Sequence, residues 1–188
     1  DTLPARPVIT ADGLAGWYVD GWLNMSVRAG TDWSTTGGWS PHVHGKLAFT
    51  TPTTVSPLLT LHGGWAAHTD AVTRTRLGGL NPYVVPLAGA AWAEWWVEDY
   101  AAARGGLQVS QANVTGAAFA DIAWFGQPTA VGFGSSIRWQ AGRRFIEGAG
   151  GYAPWIPRNN ARPAVSGWVR LGFAWGKSVR TARKTDLG

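Results

Sequence analysis

The segment VSGWVRLGFAW, residues 165–175, shows the pattern that decides the fold. Every second residue from Val165 to Trp175 is apolar or glycine, while Ser166 and Arg170 fall on the opposite set. Alternation with a period of two is typical of a β-strand whose two faces meet different environments. The segment is also about as long as a tilted strand must be to cross a bilayer, roughly 9–11 residues.

The same alternation recurs along the chain and predicts about nine strands. They lie near residues 17–29, 42–50, 54–65, 71–79, 92–100, 107–124, 130–140, 144–152 and 165–175. Turn-forming residues separate most of them, for example Arg104-Gly105-Gly106 and Ala141-Gly142. Sustained helical periodicity is absent from the sequence. We therefore predict an all-β, antiparallel fold with about 8–10 strands.

The composition favours an apolar environment for part of this fold. Charged residues make up 14% of the 188 residues, against about 25% in ordinary soluble domains. No apolar run approaches the roughly 18 residues of a spanning helix. Because lipid satisfies no exposed backbone group, only a closed β-barrel of the outer-membrane type could cross a bilayer with this sequence. The sequence contains no cysteine, which excludes disulfides and thiolate sites.

The positions of the tryptophans distinguish a membrane barrel from a soluble β-sandwich. Six of them fall near predicted strand ends on the apolar face, as a girdle at the membrane–water boundary requires. They are Trp17, Trp33, Trp65, Trp124, Trp139 and Trp175. The alternative is that tryptophans fill the core of a soluble sandwich. The opposite face favours the barrel, because it is rich in Gly, Ala and Ser and poor in charge.

Between about residue 76 and residue 175, four segments follow one another in an order that points to a family. They are Leu77-Gly78-Gly79, the loop from Asn81 to Gly89, Phe119-Ala120-Asp121-Ile122-Ala123 and Gly132-Phe133-Gly134. This order resembles the C-terminal barrel of the Omp85 superfamily, also called bacterial surface antigen D15. In that family, a strand ending in Leu-Gly-Gly precedes an inward-folded loop, and later strands carry Phe-x-Asp-x-Gly and Gly-x-Gly. Two positions depart from the pattern. The loop sequence Leu87-Ala88-Gly89-Ala90 lacks the family's arginine, and Ala123 replaces a glycine.

The resemblance implies a bacterial outer-membrane protein that inserts other polypeptides into the membrane or passes them across it. Its partners would be outer-membrane lipid, unfolded or secreted polypeptides and other envelope proteins, with no cofactor and no nucleic acid. The family's full barrel has sixteen strands. Residues 1–176 are therefore expected to form either the C-terminal part of a larger barrel or a small independent barrel. Residues 177–188 form a basic tail that is either solvated or in contact with acidic lipid.

Alternation places Phe119 and Asp121 on one face, which should be the lumen. An unpaired carboxylate there is costly, so we expect a cationic partner for Asp121. Arg138 on the neighbouring predicted strand, Arg74 and Arg76 are the candidates. This structural pairing is favoured over a direct role in transport.

The sequence shows no convincing catalytic constellation, and we expect no enzyme activity. No Gly-x-Ser-x-Gly motif is found, and no serine is placed with both a histidine and an acid. His42 and His44 project from one face of a strand, and His62 falls on the same face of the next strand. These three define a candidate metal site, and ordinary lumenal histidines are the alternative. Three functions therefore remain open: an Omp85-like role, a structural or ligand-binding barrel, and a metal-dependent enzyme.

Overall fold

A computed structural model describes residues 8–19, 21–35, 37–69, 74–78, 85–90, 95–126, 129–156 and 164–173. This part of the chain consists of strands and their connections and contains no helix, which confirms the prediction of an all-β fold. In particular, it holds no helix of the length and hydropathy that a membrane span requires. The predicted girdle residue Trp175, Gly79 of the Leu-Gly-Gly motif and the basic tail lie outside the described residues.

Nine long strands form one antiparallel sheet, and two short strands form a separate pair. In chain order the strands are β1 (Val8–Val19), β2 (Leu23–Ser34), β3 (Gly38–Thr50), β4 (Val55–Ala66), β5 (Thr75–Leu77), β6 (Trp95–Val97), β7 (Asp99–Gln111), β8 (Val114–Trp124), β9 (Thr129–Ala141), β10 (Arg144–Trp155) and β11 (Ala164–Phe173). The order in the large sheet is β1-β2-β3-β4-β7-β8-β9-β10-β11. Within the described residues the sheet is open, so β1 and β11 are its edges.

The register divides the sheet into two faces of different chemistry. The apolar face carries Trp17, Val27 and Leu61 and their cross-strand neighbours. Its only Asp, Glu, Lys, Arg or His side chains among the described residues are Asp99 and Arg144, each of which is the first residue of its strand. The polar face carries the other side chains of these types in the sheet, together with many Gly, Ala and Ser residues. The predicted alternation is therefore confirmed for the strands of the large sheet.

Four of the predicted strands were wrong. In 71–79 and 92–100, the described residues form only the short strands β5 and β6, which lie outside the large sheet, and the first two residues of β7. The other two predicted strands each contain a turn. The segment 17–29 joins the end of β1 to the start of β2, and the segment 107–124 joins β7 to β8. Conversely, Arg104-Gly105-Gly106 is not a turn but the middle of β7, where Gly105 pairs with Leu59 and Ala120. Consecutive glycines are compatible with a turn and also with the interior of a strand. The cross-strand register shows that these two lie in the interior of a strand.

The two ends of the sheet differ in the length of their connections. At one end, the strands are joined by residues 20–22, 51–54, 112–113 and 142–143. At the other end, residues 35–37 and 125–128 form connections of similar length, whereas residues 67–98 connect β4 to β7 and contain both β5 and β6. This long connection returns to the polar face of the large sheet, where residues 85–90 pack. We call residues 85–90 the inner segment.

The turn between β7 and β8 has a backbone conformation that suits glycine better than its own residue. Ala112 has a φ of 48°, and the equivalent residue of the β9–β10 turn, Gly142, has a φ of 57°. An L-residue with a side chain is strained in this left-handed region by roughly 1 kcal/mol. Ala112→Gly should therefore raise the free energy of unfolding by about 0.5–1 kcal/mol, measured by denaturant titration.

Asn113 provides the matched control, because it lies in the same turn with a negative φ. Asn113→Gly should leave stability unchanged or lower it, since the added backbone freedom relieves no strain. Equal effects of the two substitutions would contradict the explanation.

Candidate functional site

Asp121 is the most buried ionisable residue among those described and lies on the polar face of β8, shortly before the end of the strand at Trp124. Its side chain is 1% exposed. Arg104, directly opposite on β7, donates from Nε to Oδ1 at 2.7 Å and from Nη2 to Oδ2 at 2.8 Å. Two parallel bonds of this kind form the strongest geometry available to an arginine and a carboxylate.

A third hydrogen bond joins Asp121 to the inner segment. The backbone N–H of Ala88 donates to Oδ2 of Asp121 at 2.7 Å. Asp121 therefore ties together β7, β8 and a connection that begins at the far end of β4. The guanidinium carbon of Arg104 also lies 3.8 Å from the centre of the ring of Phe119, which is a cation–π contact. We call Arg104, Phe119, Asp121 and Ala88 the clamp.

The inner segment reaches Asp121 because glycines lie beneath it. A Cβ on Gly132 would collide with the carbonyl oxygen of Ala88, and one on Gly151 would lie 2.7 Å from the backbone nitrogen of Gly89. Gly89 itself has a φ of 81°, and a side chain there would meet the backbone of β10. These glycines let backbone approach backbone, as close packing of a segment on a sheet requires.

Apolar contacts fix the rest of the inner segment. Leu87 and Ala90 are almost fully buried and belong to one cluster with alanines of β7, β8, β9, β10 and β11. Gly78, at the end of β5, donates its N–H to the carbonyl oxygen of Val85 at 3.1 Å and has a φ of 113°. The segment is therefore anchored at both ends and at its middle.

The structure brings together most of the residues predicted for the lumen, but the partner of Asp121 is Arg104 and not Arg138. Gly78, Gly89, Phe119 and Asp121 all belong to the anchored region. Arg138 does not pair with Asp121. It lies six residues along the polar face, opposite Thr115, and its Nη1 is 3.8 Å from Glu147.

Arg74 also contacts another acid, Glu98, at 3.6 Å, and the side chain of Arg76 lies outside the described residues. Sequence reasoning missed Arg104 because it assigned this residue to a turn. A strand through residues 99–111 would have placed Arg104 opposite Asp121.

A second polar cluster ties the edge strand β1 to β2 and β3. Nε2 of His42 lies 2.8 Å from Oδ1 of Asp12, and Nδ1 lies 3.5 Å from Oδ2 of Asp32. Asp12 also accepts from Arg28. Asp12 and His42 meet across β2 because Gly30 stands between them in the register and has no side chain to separate them.

The predicted metal site of His42, His44 and His62 is not assembled. Carboxylates engage both ring nitrogens of His42, while Nδ1 of His44 lies 3.4 Å from the hydroxyl of Tyr100. His62 faces Lys46 across the β3–β4 pair. Among the described residues, no group of three or more His, Cys, Asp or Glu side chains could hold a metal ion. The polar cluster is therefore a cross-strand tie.

The predicted girdle residues occupy the two ends of the apolar face. Trp17 and Trp139 lie toward the end with short turns, and Trp33, Trp65 and Trp124 lie toward the other. Four of these five are exposed by 43–54%. Trp39 and Trp155, which the sequence analysis did not include, extend the second row and are exposed by 63% and 66%.

Removal of Asp121 tests the clamp. Asp121→Ala leaves the guanidinium of Arg104, which is 18% exposed, without its carboxylate. The free energy of unfolding should fall by roughly 3–5 kcal/mol, as for other buried pairs that lose one partner. Denaturant unfolding measures this loss, and Arg104→Met combined with Asp121→Ala should recover part of it.

Glu147→Ala is the matched control, because Glu147 pairs with Arg170, which is 36% exposed. A half-exposed pair contributes about 1 kcal/mol or less. If Asp121→Ala cost no more than Glu147→Ala, the clamp would not be a principal source of stability.

Gly132→Ala tests the close approach of the inner segment. The added methyl group collides with Ala88, so the segment must move away from the sheet. Hydrogen exchange at the amide of Ala88 should accelerate by tenfold or more, and proteases should cut the connection 67–98 faster. Gly105→Ala is the control, since a Cβ at Gly105 meets nothing within 4 Å. Equal exchange in the two variants would contradict the packing.

Comparisons with known proteins add no relative. No protein-family model matches the chain, and neither a curated protein nor a solved structure shows significant similarity to it. Its function has to follow from the contacts and the surface chemistry of its own residues.

Proposed function

We propose that the chain forms part of the wall of an outer-membrane-type β-barrel. The observation that carries this proposal is the apolar face, on which large hydrophobic side chains are exposed across all nine strands. Examples far apart in the sheet are Trp17 at 54%, Leu107 at 59% and Leu171 at 74%. Soluble monomers rarely expose apolar patches beyond a few hundred Å², whereas lipid-facing surfaces are apolar throughout.

The dimensions of the strands suit a bilayer. A strand of 12 residues such as β1 is about 40 Å long at about 3.3 Å per residue. A tilt of roughly 40° reduces its height to about 30 Å, which equals the thickness of the hydrocarbon core. Tryptophans at both ends of the face fit the two interfaces. Short turns at one end and a long connection at the other are also typical of such barrels.

Within this class, we propose an Omp85-like role in the insertion or translocation of polypeptides. The order of motifs from Leu77 to Trp139 supports it, and so does a connection that folds back over the polar face to a buried aspartate of the wall. Here the arginine of the pair comes from β7, while the loop contributes only the backbone N–H of Ala88. The clamp therefore does not require the loop arginine that this sequence lacks.

A structural or ligand-binding barrel without transport is the second candidate. The specific observation in its favour is the tight anchoring of the inner segment, whose residues from Val85 to Ala90 are buried apart from half-buried Pro86. If the inner segment stays anchored, it occupies space on the polar face and so narrows the lumen of the proposed barrel. Transport then requires release of the clamp, and a structural barrel does not.

An insertion assay separates the two candidates. The protein is reconstituted in lipid vesicles, and an unfolded β-barrel client is added from urea. An Omp85-like role predicts that the vesicles accelerate the appearance of protease-resistant client several-fold, and that Asp121→Asn changes this rate. Equal rates with protein-containing and empty vesicles would leave the structural barrel as the better proposal.

Substitutions at two neighbouring residues of β7 test whether the apolar face contacts lipid. Leu107 lies on the apolar face and Gln108 on the polar face. Leu107→Lys should destabilise the protein in lipid vesicles by about 2 kcal/mol, because a charge then faces hydrocarbon. Gln108→Lys should cost less than half of that amount.

Unfolding in vesicles and sedimentation with membranes measure both variants. If the sheet is instead soluble and packs on a protein partner, the wild-type protein, with Leu107 intact, should stay monodisperse in buffer without detergent. That outcome would refute the membrane proposal.

A further inference from the structure

We propose that the polar face of β9, β10 and β11 holds a binding site for a phosphate group, built from Arg138, Phe145, Glu147 and Arg170. We call these four residues the arginine site. The inference goes beyond the proposed function, because it depends only on contacts of the polar face. It holds whether the apolar face contacts lipid or protein.

The cross-strand register brings the charged residues of the site into one row. Arg138 on β9 lies opposite Glu147 on β10, which in turn lies opposite Arg170 on β11. Thr115 on β8 extends the row on the other side of Arg138. Neighbouring strands are only about 5 Å apart, so both arginine side chains reach the carboxylate between them.

The single carboxylate of this row does not neutralise two guanidinium groups. Nε and Nη2 of Arg170 both donate to Oε2 of Glu147, at 3.0 and 2.7 Å. Nη1 of Arg138 lies 3.8 Å from the same oxygen. Among the described residues, no other acid contacts either arginine. The site therefore carries a surplus of one positive charge, unlike the clamp, where one arginine pairs with both oxygens of one aspartate.

Both arginines keep N–H groups that no described residue accepts. A guanidinium has five N–H donors. Arg138 uses one of them, from Nη2 to Oε1 of Gln140 at 3.1 Å, and Arg170 uses two, both on Glu147. The side chains of Arg138 and Arg170 are 39% and 36% exposed, so a solute can reach the remaining donors.

The ring of Phe145 holds the two guanidinium groups near each other. The guanidinium carbons of Arg138 and Arg170 lie 4.5 and 5.3 Å from the centre of this ring. A cation–π contact attracts a cation without neutralising it. Two like charges are thus kept together, and an anion bound to both relieves their repulsion.

Trp168 borders the site on the side away from the turn. It lies two residues before Arg170 on the same face of β11, and its ring centre is 5.4 Å from the guanidinium carbon. Nε1 of Trp168 is buried and has no hydrogen-bond partner. Buried donors nearly always have an acceptor in folded proteins. The arginine site therefore adjoins a donor that lacks one.

These features favour phosphate over other anions. The planar fork of arginine matches the oxygens of phosphate and of carboxylate groups. Phosphate has more oxygens than carboxylate, so it can accept from both arginines and from the hydroxyl of Thr115 together. Arg143 in the β9–β10 turn and Arg144 at the start of β10 add positive charge at this end of the sheet.

Titration with inorganic phosphate tests the site. The protein is kept in a nonionic detergent at low ionic strength, and calorimetry measures the affinity. We expect saturable binding of one phosphate per chain. Arg138→Gln and Arg170→Gln should each weaken binding by about tenfold or more, because each removes hydrogen bonds between charged groups. Arg138→Lys keeps the charge but not the fork, and should weaken binding by about threefold or more.

Glu147→Gln should change the affinity in the opposite direction. It removes the carboxylate that competes for both arginines, so phosphate should bind about threefold or more tightly. A misfolded variant would not bind more tightly, so this result does not depend on stability. Lys46→Gln is the matched control, because Lys46 is an exposed cation of the same face that lies on β3, outside the site. It should change the affinity by less than about twofold.

Two further probes identify the source of the phosphate group. Glycerol 3-phosphate is a soluble ester, whereas a short-chain phosphatidylglycerol presents the phosphate as a lipid headgroup. Tighter binding of the soluble ester assigns the site to small solutes, and tighter binding of the lipid assigns it to headgroups. Either result supports the site when Arg138→Gln weakens the binding.

Four outcomes would overturn the proposal. The first is the absence of saturable binding for all three probes. The second is an equal loss in Arg138→Gln and Lys46→Gln, which would show unspecific attraction to positive charge. The third is an unchanged affinity in Glu147→Gln. The fourth is displacement of phosphate by acetate at equal concentration, which would assign the site to carboxylates. None of these outcomes bears on the membrane proposal, which sedimentation and detergent dependence test separately.

Discussion

The structure depends on one constraint, which is that a single sheet must keep apolar side chains on one face and polar ones on the other. Because side chains alternate along a strand, a one-residue slip would exchange the two faces of that strand. The register keeps Val27, Leu61 and Ile137 on the apolar face and Arg28, His62 and Arg138 on the polar face. Among the described residues, charged side chains occur on the apolar face only where strands begin, at Asp99 and Arg144. The sheet has therefore separated charge from apolar surface along its whole described width.

This separation moves the difficult electrostatics to the polar face. A carboxylate as buried as Asp121 is stable only with full compensation, and three hydrogen bonds provide it. The inner segment gains its fixed position from the same bonds. Gly132, Gly134 and Gly151 make room for it, since a side chain at any of them would collide with the segment or with Phe119. The inner segment therefore depends both on the glycines of β9 and β10, which leave space for it, and on Asp121 of β8, which binds it.

The sequence predicted the strands and their faces better than it predicted which side chains pair with each other. Alternation identified most strands and their faces, because this signal is local. It failed at 17–29 and 107–124, where turns interrupt the pattern without breaking the period clearly. The error at Arg104-Gly105-Gly106 had a larger consequence, because it removed the true partner of Asp121 from its strand. Arg138 was chosen on adjacency in sequence order, whereas pairing depends on register, and register is a property of two strands together.

The hydrogen bond from Ala88 to Asp121 could not be predicted from the side chain of Ala88, because the donor is its backbone N–H. A backbone N–H is present at almost every residue, so only the path of the chain selects which one reaches Asp121. That path depends on the left-handed conformations of Gly78 and Gly89, on the burial of Leu87 and on the space above Gly132. A loop held through its backbone tolerates changes in its side chains, provided that the glycines and Asp121 stay in place. The inner segment needs no arginine of its own because Arg104 supplies the charge from β7, and the segment keeps its position through contacts that residue types alone do not reveal.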